Sequence, residues 1–393
     1  MLTILVTLRS NILFMFTSLF FLGSFLITYI ITPKIIGLVE FKNLLDQPNK
    51  RSSHTKLTPT LGGIAFYFTL MLSFFFLKDF DTYKITYNII PGLTLLFIFG
   101  LKDDLVVLSP YSKLFAQIVA AGFIVSNSSL QIITLSGFLG IYEIPFYVSI
   151  IISVFLIITI INAYNLIDGI DGLASGIGIV TSSIYAVIYF YLDIEFHFYL
   201  AISITGILLA FLRYNLSSDK KIFMGDTGSL IIGFVISIFT IKLLTLNNSI
   251  VESEIPFIIE NLPLIILAIL IIPLFDTARV FAIRILNKRS PFSADRNHMH
   301  HILIDLGFSH VKSSIILILF NLVFVCFFSY LASLNKQGLL FLILFVVVIF
   351  GLFAFYKLDY KLSNLRKKAA FRKRKKNFQK KIFDAKTKKD KEI

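Results

Sequence analysis

Apolar runs long enough to cross a bilayer recur along this 393-residue chain. No other feature constrains it as strongly. Hydrophobic residues make up 56% of the chain, charged residues 15%, and the mean hydropathy is +0.84. Those values exclude an ordinary soluble domain and a disordered chain. The alternating ten-residue strands of a porin are absent from the sequence pattern. The expected fold is therefore an all-α polytopic membrane protein of about 11 transmembrane helices. The runs fall at 11–33, 60–77, 88–101, 113–127, 146–162, 172–191, 197–213, 228–246, 261–286, 313–332 and 338–356. The stretch 128–145 is apolar too, but it alternates and carries Gly140 and Pro145, which predicts an extracellular hairpin. The first run is too long for a signal-peptide core and no small-x-small site follows it, so an uncleaved span is expected.

Polar islands interrupt the runs at 34–59, 102–112, 163–171, 214–227 and 287–312. They follow spans one, three, five, seven and nine, so all five share one face. The islands and adjoining span ends hold 16 Lys and Arg, whereas the opposite side holds only Arg9, Lys78, Lys84, Lys242 and Lys336. Positive-inside then predicts cytosolic islands, an N-terminus outside and a C-terminus in the cytosol. Residues 1–356 read as an integral membrane domain and 357–393 as a basic cytosolic tail. Of the net charge of +14, the tail carries +12. Such a tail orients the protein or meets anionic lipid headgroups. Nucleic acid is not an expected partner, because no domain is there to read bases. Cys326 is the only cysteine, so no intramolecular disulfide exists.

The islands carry the chemistry. In "DQPNKRSSHTKLTPTLGG", Lys50, Arg51, His54 and Lys56 can meet phosphate, although a positive-inside loop explains them as well. In "GLKDDLVVLSP", Asp103 and Asp104 are adjacent carboxylates, with Lys113 and Gln117 further on. Neighbouring carboxylates suit a divalent cation or a proton-accepting role, because one charge raises the other's pKa. "NAYNLIDGIDG" supplies Asn162, Asn165, Asp168 and Asp171, hard oxygen donors of the kind Mg²⁺ takes. A calcium loop fails on spacing and lacks its closing Glu. In "FMGDTGSL", Asp226 precedes a new helix and reads equally as a cap or a metal ligand. In "SPFSADRNHMHH", His298, His300 and His301 follow Asp295 and Arg296. His298 and His301 have zinc spacing, but no cysteine is near and Arg296 repels a cation. Arginine with histidine suits an anionic nucleotide better.

Taken in order, these islands resemble those of the polyprenyl-phosphate N-acetylhexosamine-1-phosphate transferases. The set is D-x-P-N-x-R-x-x-H…P-x-x-G-G, D-D, N-A-x-N-x-x-D-G-x-D-G-L, G-D-x-G-S and A-D-R-x-H-x-H-H, from Asp46 to Gly307. The last motif looks like that of the GlcNAc-1-phosphate branch, which starts lipid-linked cell-surface glycans. The resemblance implies an Mg²⁺-dependent phosphotransferase, with Mn²⁺ as a possible substitute, in the bacterial inner membrane. It implies UDP-N-acetylhexosamine as donor, undecaprenyl phosphate as acceptor, UMP as product, and a possible homodimer. Carried over position by position, Asn165 and Asp226 hold the metal. Asp103, Asp104 and Asp168 are catalytic. Arg51, His54, Asp171, Arg296, His298, His300 and His301 bind substrate. The rival expectation is a membrane transporter of a lipid-linked or nucleotide sugar. Clustering of the motifs on one face opposes it, since transporters place ionisable groups near mid-bilayer.

Overall fold

Ten of the eleven apolar runs fold as helices in the computed structural model. It describes residues 2–42, 44–46, 58–135, 137–246, 261–290 and 297–333, with positions 343 and 351. The helices are α1 Leu2–Phe41, α2 Gly63–Leu77, α3 Thr86–Leu105, α4 Pro110–Val125, α5 Phe146–Ile167, α6 Leu173–Tyr191, α7 Glu195–Asn215 and α8 Gly225–Leu244. The pair α9 Leu262–Ile269 and α10 Ile271–Leu286 follows, then short α11 Met299–Asp305 and α12 His310–Ser333. The expected eleventh span and the basic tail lie outside the described stretches.

Seven of these helices are long and apolar enough to cross a membrane, or eight if the bent pair α9–α10 is one span. The expected count of 11 is therefore not reached among the described residues. α4 has only 16 residues, and α3 spends its last turn on Lys102, Asp103 and Asp104. The hairpin expected over 128–145 is present as two short turns, Ser128–Leu130 and Phe138–Gly140, with Thr134 bridged antiparallel to Glu143.

The sequence pattern predicts one span over 261–286, but the structure bends 76° between α9 and α10. Pro273 is the physical reason: its ring clashes with the carbonyl four residues back, that of Ile269. Asn321 of α12 donates its side-chain amide to the Ile269 carbonyl at 3.3 Å, which satisfies the broken turn.

α8 is the axis of the bundle and is buried along almost its whole length. α2, α3 and α5 pack around it, while α7 packs between α1 and α6. Close approach at the start of α8 depends on missing side chains. A Cβ on Gly63 would lie 2.2 Å from the Gly228 nitrogen, and one on Gly100 would lie 2.6 Å from the Thr227 Cα. These glycines let α2 and α3 touch the first turn of α8. The segment before α2 is tied to the same place. Phe223 N donates to Pro59 O at 2.8 Å, Gly62 N to Phe223 O at 3.1 Å and Gly63 N to Met224 O at 3.1 Å. A two-residue antiparallel ladder, Leu45–Asp46 with Thr58–Pro59, joins the chain on either side of 47–57.

Candidate active site

Described residues of the second, third and fourth islands meet at one end of the bundle, with Pro59 tied to Phe223 and His300 set against Gly169. Asp103 and Asp104 form the last turn of α3, past its apolar stretch. Asp226 opens α8 behind Gly225, whose φ of +72° gives the chain the left-handed turn it needs there. Asp104 Oδ1 accepts the Asp226 N–H at 2.8 Å. Its Oδ2 accepts the Thr227 N–H at 3.0 Å and the Thr227 hydroxyl at 2.5 Å. Asp104 thus caps a helix to which it does not belong.

Asp103 turns the other way. Its Oδ1 accepts the Leu108 N–H at 2.6 Å, and its Oδ2 lies 2.7 Å from Lys113 Nζ. The same ammonium pairs with Asp226 Oδ2. Asn165, near the end of α5, donates its amide to Asp226 Oδ1 at 2.6 Å and to Ser229 Oγ at 2.9 Å. One turn deeper, Gln117 and Asn162 exchange amide bonds at 3.2 and 2.7 Å, which holds α4 in register on α5. Two carboxylates, an amide and a cation from four helices therefore converge on one point. Burial, then the neighbouring Asp226, push Asp103 up to about 6 and Asp104 up to about 7. Burial, then the charges of Asp226, Asp104 and Asp171, push Asp168 up to about 8.

Asp171 sits apart from that point. Lys221 Nζ lies 2.6 Å from its Oδ2, His310 Nδ1 lies 3.3 Å from the same oxygen, and Ser314 donates to its carbonyl at 2.7 Å. Burial opposes its charge, but the His310 and Lys221 contacts win and hold Asp171 below the usual carboxylate range. The histidines lie against the third island. A Cβ on Gly169 would come 2.3 Å from His300 Nε2. Both ring nitrogens of His300 are buried with no hydrogen-bond partner among the described residues. Burial, then His301 beside it, keep His300 well below the usual histidine range, so the ring is neutral. His298 and His300 are parallel, their centroids 5.5 Å apart, and His300 and His301 are 4.3 Å apart.

The structure thus brings Asp103, Asp104, Asn165 and Asp226 into direct contact and sets His300 against Gly169, with His298 and His301 packed on its ring. Arg51, His54 and Arg296 lie outside the described residues. Sequence reasoning notes Lys113 without giving it a part, and passes over Lys221, His310, Asp276 and Arg279. For Asp276 and Arg279 a signal was available: ionisable residues inside the apolar run 261–286, which also holds Arg284, are expensive and call for a reason.

A metal can be tested against these donors. No group of three or more His, Cys, Asp or Glu that could hold an ion exists among the described residues, which disfavours zinc or calcium coordination by protein alone. Mg²⁺ asks for less: one or two carboxylates, with waters and substrate phosphate completing its shell. Asp103 and Asp226 already converge on a cation, the Lys113 ammonium, so the pair fits that requirement.

The family description glycosyl transferase family 4 matches residues 87–244, which include the second, third and fourth islands. A Bacillus subtilis protein named probable undecaprenyl-phosphate N-acetylglucosaminyl 1-phosphate transferase is 33% identical over 339 residues, 85% of this chain and 88% of that one. The chain belongs to glycosyl transferase family 4. Other family 4 relatives agree in kind. A Mycolicibacterium smegmatis decaprenyl-phosphate N-acetylglucosaminephosphotransferase is 29% identical over 75% of this chain and 77% of its own. An Escherichia coli K12 undecaprenyl-phosphate alpha-N-acetylglucosaminyl 1-phosphate transferase is 31% identical over 78% of each.

Proposed function

We propose that this multi-pass membrane protein transfers GlcNAc-1-phosphate from UDP-GlcNAc to undecaprenyl phosphate and releases UMP, at the cytosolic face of a bacterial inner membrane. The relatives' names support the reaction. The observation that carries the reading is the convergence of Asp103, Lys113, Asn165 and Asp226 at one end of an apolar bundle. A transporter reading gains nothing from that placement.

The acceptor's phosphate oxygen attacks the β-phosphorus of the UDP-sugar. A new P–O bond forms, the α–β bridge breaks, and the bridging oxygen leaves with UMP. A phosphate monoester has a second pKa near ~6, so much of the acceptor is already a dianion and a direct displacement needs no aspartyl intermediate. Charge neutralisation is the larger demand. Lys113 offers an ammonium at the reacting end of the bundle. Asp226, with Asn165 and Asp103, would hold Mg²⁺, which when bound supplies positive charge to the diphosphate oxygens. Asp103 handles the acceptor phosphate. Asp104 fixes Asp226 by capping α8, and Asp168 lies beside the reacting groups. His298, His300 and His301 face the soluble donor.

The test is direct. Purified protein is incubated with undecaprenyl phosphate and Mg²⁺ against a panel of UDP-sugars, and UMP is measured. UDP-GlcNAc should be the preferred donor. UMP release from no UDP-N-acetylhexosamine would sink the reading.

A further inference from the structure

Asp276 and Arg279 stand one turn apart on α10 and are each 2% exposed. Neither belongs to a polar island. Charges so deeply buried persist only with partners, and theirs lie on the segment that carries the histidines. Asp276 Oδ2 meets His298 Nδ1 at 2.8 Å. Its Oδ1 accepts the Met299 N–H at 2.9 Å and lies 3.4 Å from Arg279 Nη2. Arg279 Nη2 in turn donates to the Asn297 carbonyl. One turn of α10 thereby grips three consecutive residues, 297 to 299. His298 stands at the start of α11 but its side chain makes no capping bond to that helix. Asp276 supplies the missing acceptor from another helix.

We infer that Asp276 is a positioning residue for the donor site, acting through His298 on the row His298, His300, His301. This rests on the reading of that row as the UDP-sugar contact. An ionised carboxylate only accepts, so Nδ1 of His298 carries the hydrogen and the ring is held in one tautomer and one orientation. His298 lies parallel to His300, and His300 is seated against Gly169. Slack at His298 therefore reaches the ring that faces the third island. Asp276 itself touches no substrate.

Amide mimics separate the two ends of the imidazole. Asn in place of His298 keeps a donor where Nδ1 stands. Gln keeps one where Nε2 stands and loses Asp276. Full-length protein in detergent with Mg²⁺ is assayed for kcat and for both KM values, and its melting temperature is recorded. His298→Gln and Asp276→Asn should each raise the UDP-GlcNAc KM about tenfold, the worth of one charge-assisted contact. The undecaprenyl-phosphate KM should stay put, while Asp276→Asn should also melt lower than wild type because Arg279 loses its buried counter-charge. The double variant should be no worse than either single, because both cut one link. His298→Asn loses the ring's Nε2 but keeps the tie to Asp276, so adding Asp276→Asn to it should raise the UDP-GlcNAc KM further, whereas adding Asp276→Asn to His298→Gln should not. If Asp276→Asn fails to fold, Asp276→Glu, which keeps the charge but shifts the acceptor oxygen, takes its place in both combinations. Three results would overturn the inference: an unchanged KM in the Asp276 variant, multiplying effects on top of His298→Gln, or no added effect on top of His298→Asn. Absence of UMP from the wild type is a different failure, that of the donor reading itself.

Discussion

Asp104 Oδ1, in the last turn of α3, accepts the backbone N–H of Asp226 at 2.8 Å, in the first turn of α8. One of the carboxylates that the resemblance marks as catalytic is therefore engaged with backbone, and with the Thr227 hydroxyl. It sets the direction of α8, and with it the aim of the Asp226 side chain toward Lys113 and Asn165. The adjacent Asp103 is the carboxylate directed at a cation. Neighbouring residues on a helix point about a quarter-turn apart, so two adjacent aspartates serve two different tasks.

Removing the cap should cost stability in steps. Asp104→Asn keeps one carbonyl acceptor for the α8 amides, whereas Asp104→Ala leaves them without one. A lost cap is worth about 1 kcal/mol, with a range of roughly 0.5–2. Thermal melting in detergent should rank wild type above Asn above Ala. Equal melting temperatures for all three would mean that α8 needs no cap from α3.

Lys113 shares Asp226 with whatever cation binds there. Lys113→Ala should lower kcat by about a hundredfold, the scale of one lost electrostatic stabiliser. It should also lower the Mg²⁺ concentration that gives half-maximal rate, since the ammonium no longer competes for Asp103 and Asp226. Asp226→Ala should abolish turnover in folded protein, and EDTA should silence the wild type. Mg²⁺ titrations of UMP release check both signs; full activity in EDTA would remove the metal from the reaction.

Much of this was legible in the sequence, and the remainder has identifiable causes. Ten apolar runs became helical, nine with ends within about five residues of those expected and the first, 11–33, lengthened to Leu2–Phe41, because length and hydropathy dominate where a bilayer is the solvent. The bend at Leu270 was also encoded, in Pro273, but a run as apolar as 261–286 hides it. Described residues of the second, third and fourth motifs came together at one end of the bundle. What spacing could not reveal is which carboxylate faces which group. The Asp104–Thr227 bond and the Lys113–Asp226 pair join residues more than a hundred positions apart. They follow from the close approach at Gly63 and Gly100, a property of packing rather than of any local pattern. Asp276 escaped because its meaning lies in His298, 22 residues away.

Asp168 gives the metal-free protein a pH signature. Burial and three neighbouring carboxylates raise it to about 8 from an ordinary 3.8. A raised acid is protonated in the folded chain at pH values where the unfolded chain has already lost the proton. Stability present at low pH is therefore lost as pH climbs, and is gone above about 8. Asp168→Asn cannot ionise and should make that slope shallower, most clearly between about pH 7 and 8, where Asp103 and Asp104 have already lost their protons. Melting curves from pH 5 to 8.5 in EDTA, with roughly half-unit steps, check it. A slope unchanged in Asp168→Asn would place the titration on another group.

Gly169 offers the cleanest test of the histidine row, because the substitution adds one carbon and removes nothing. Its Cβ would land 2.3 Å from His300 Nε2 and 2.8 Å from Cε1 of the same ring. A buried ring cannot stay there, and the nearest relief is for the imidazole to move. The backbone at 169 has no positive φ to forbid a side chain, so Gly169→Ala should fold. If His300 meets the donor equally in ground and transition states, the displaced ring should raise the UDP-GlcNAc KM with kcat nearly constant. The expected rise is about tenfold, one lost contact of roughly 1.4 kcal/mol. The undecaprenyl-phosphate KM should not follow, since the acceptor site we propose is beside Asp103 and Lys113. Steady-state kinetics with each substrate varied in turn, for Gly169→Ala and His300→Ala together, decide the matter. The two variants should fail in the same way. A rise in the lipid's KM for both would assign the histidine row to the acceptor.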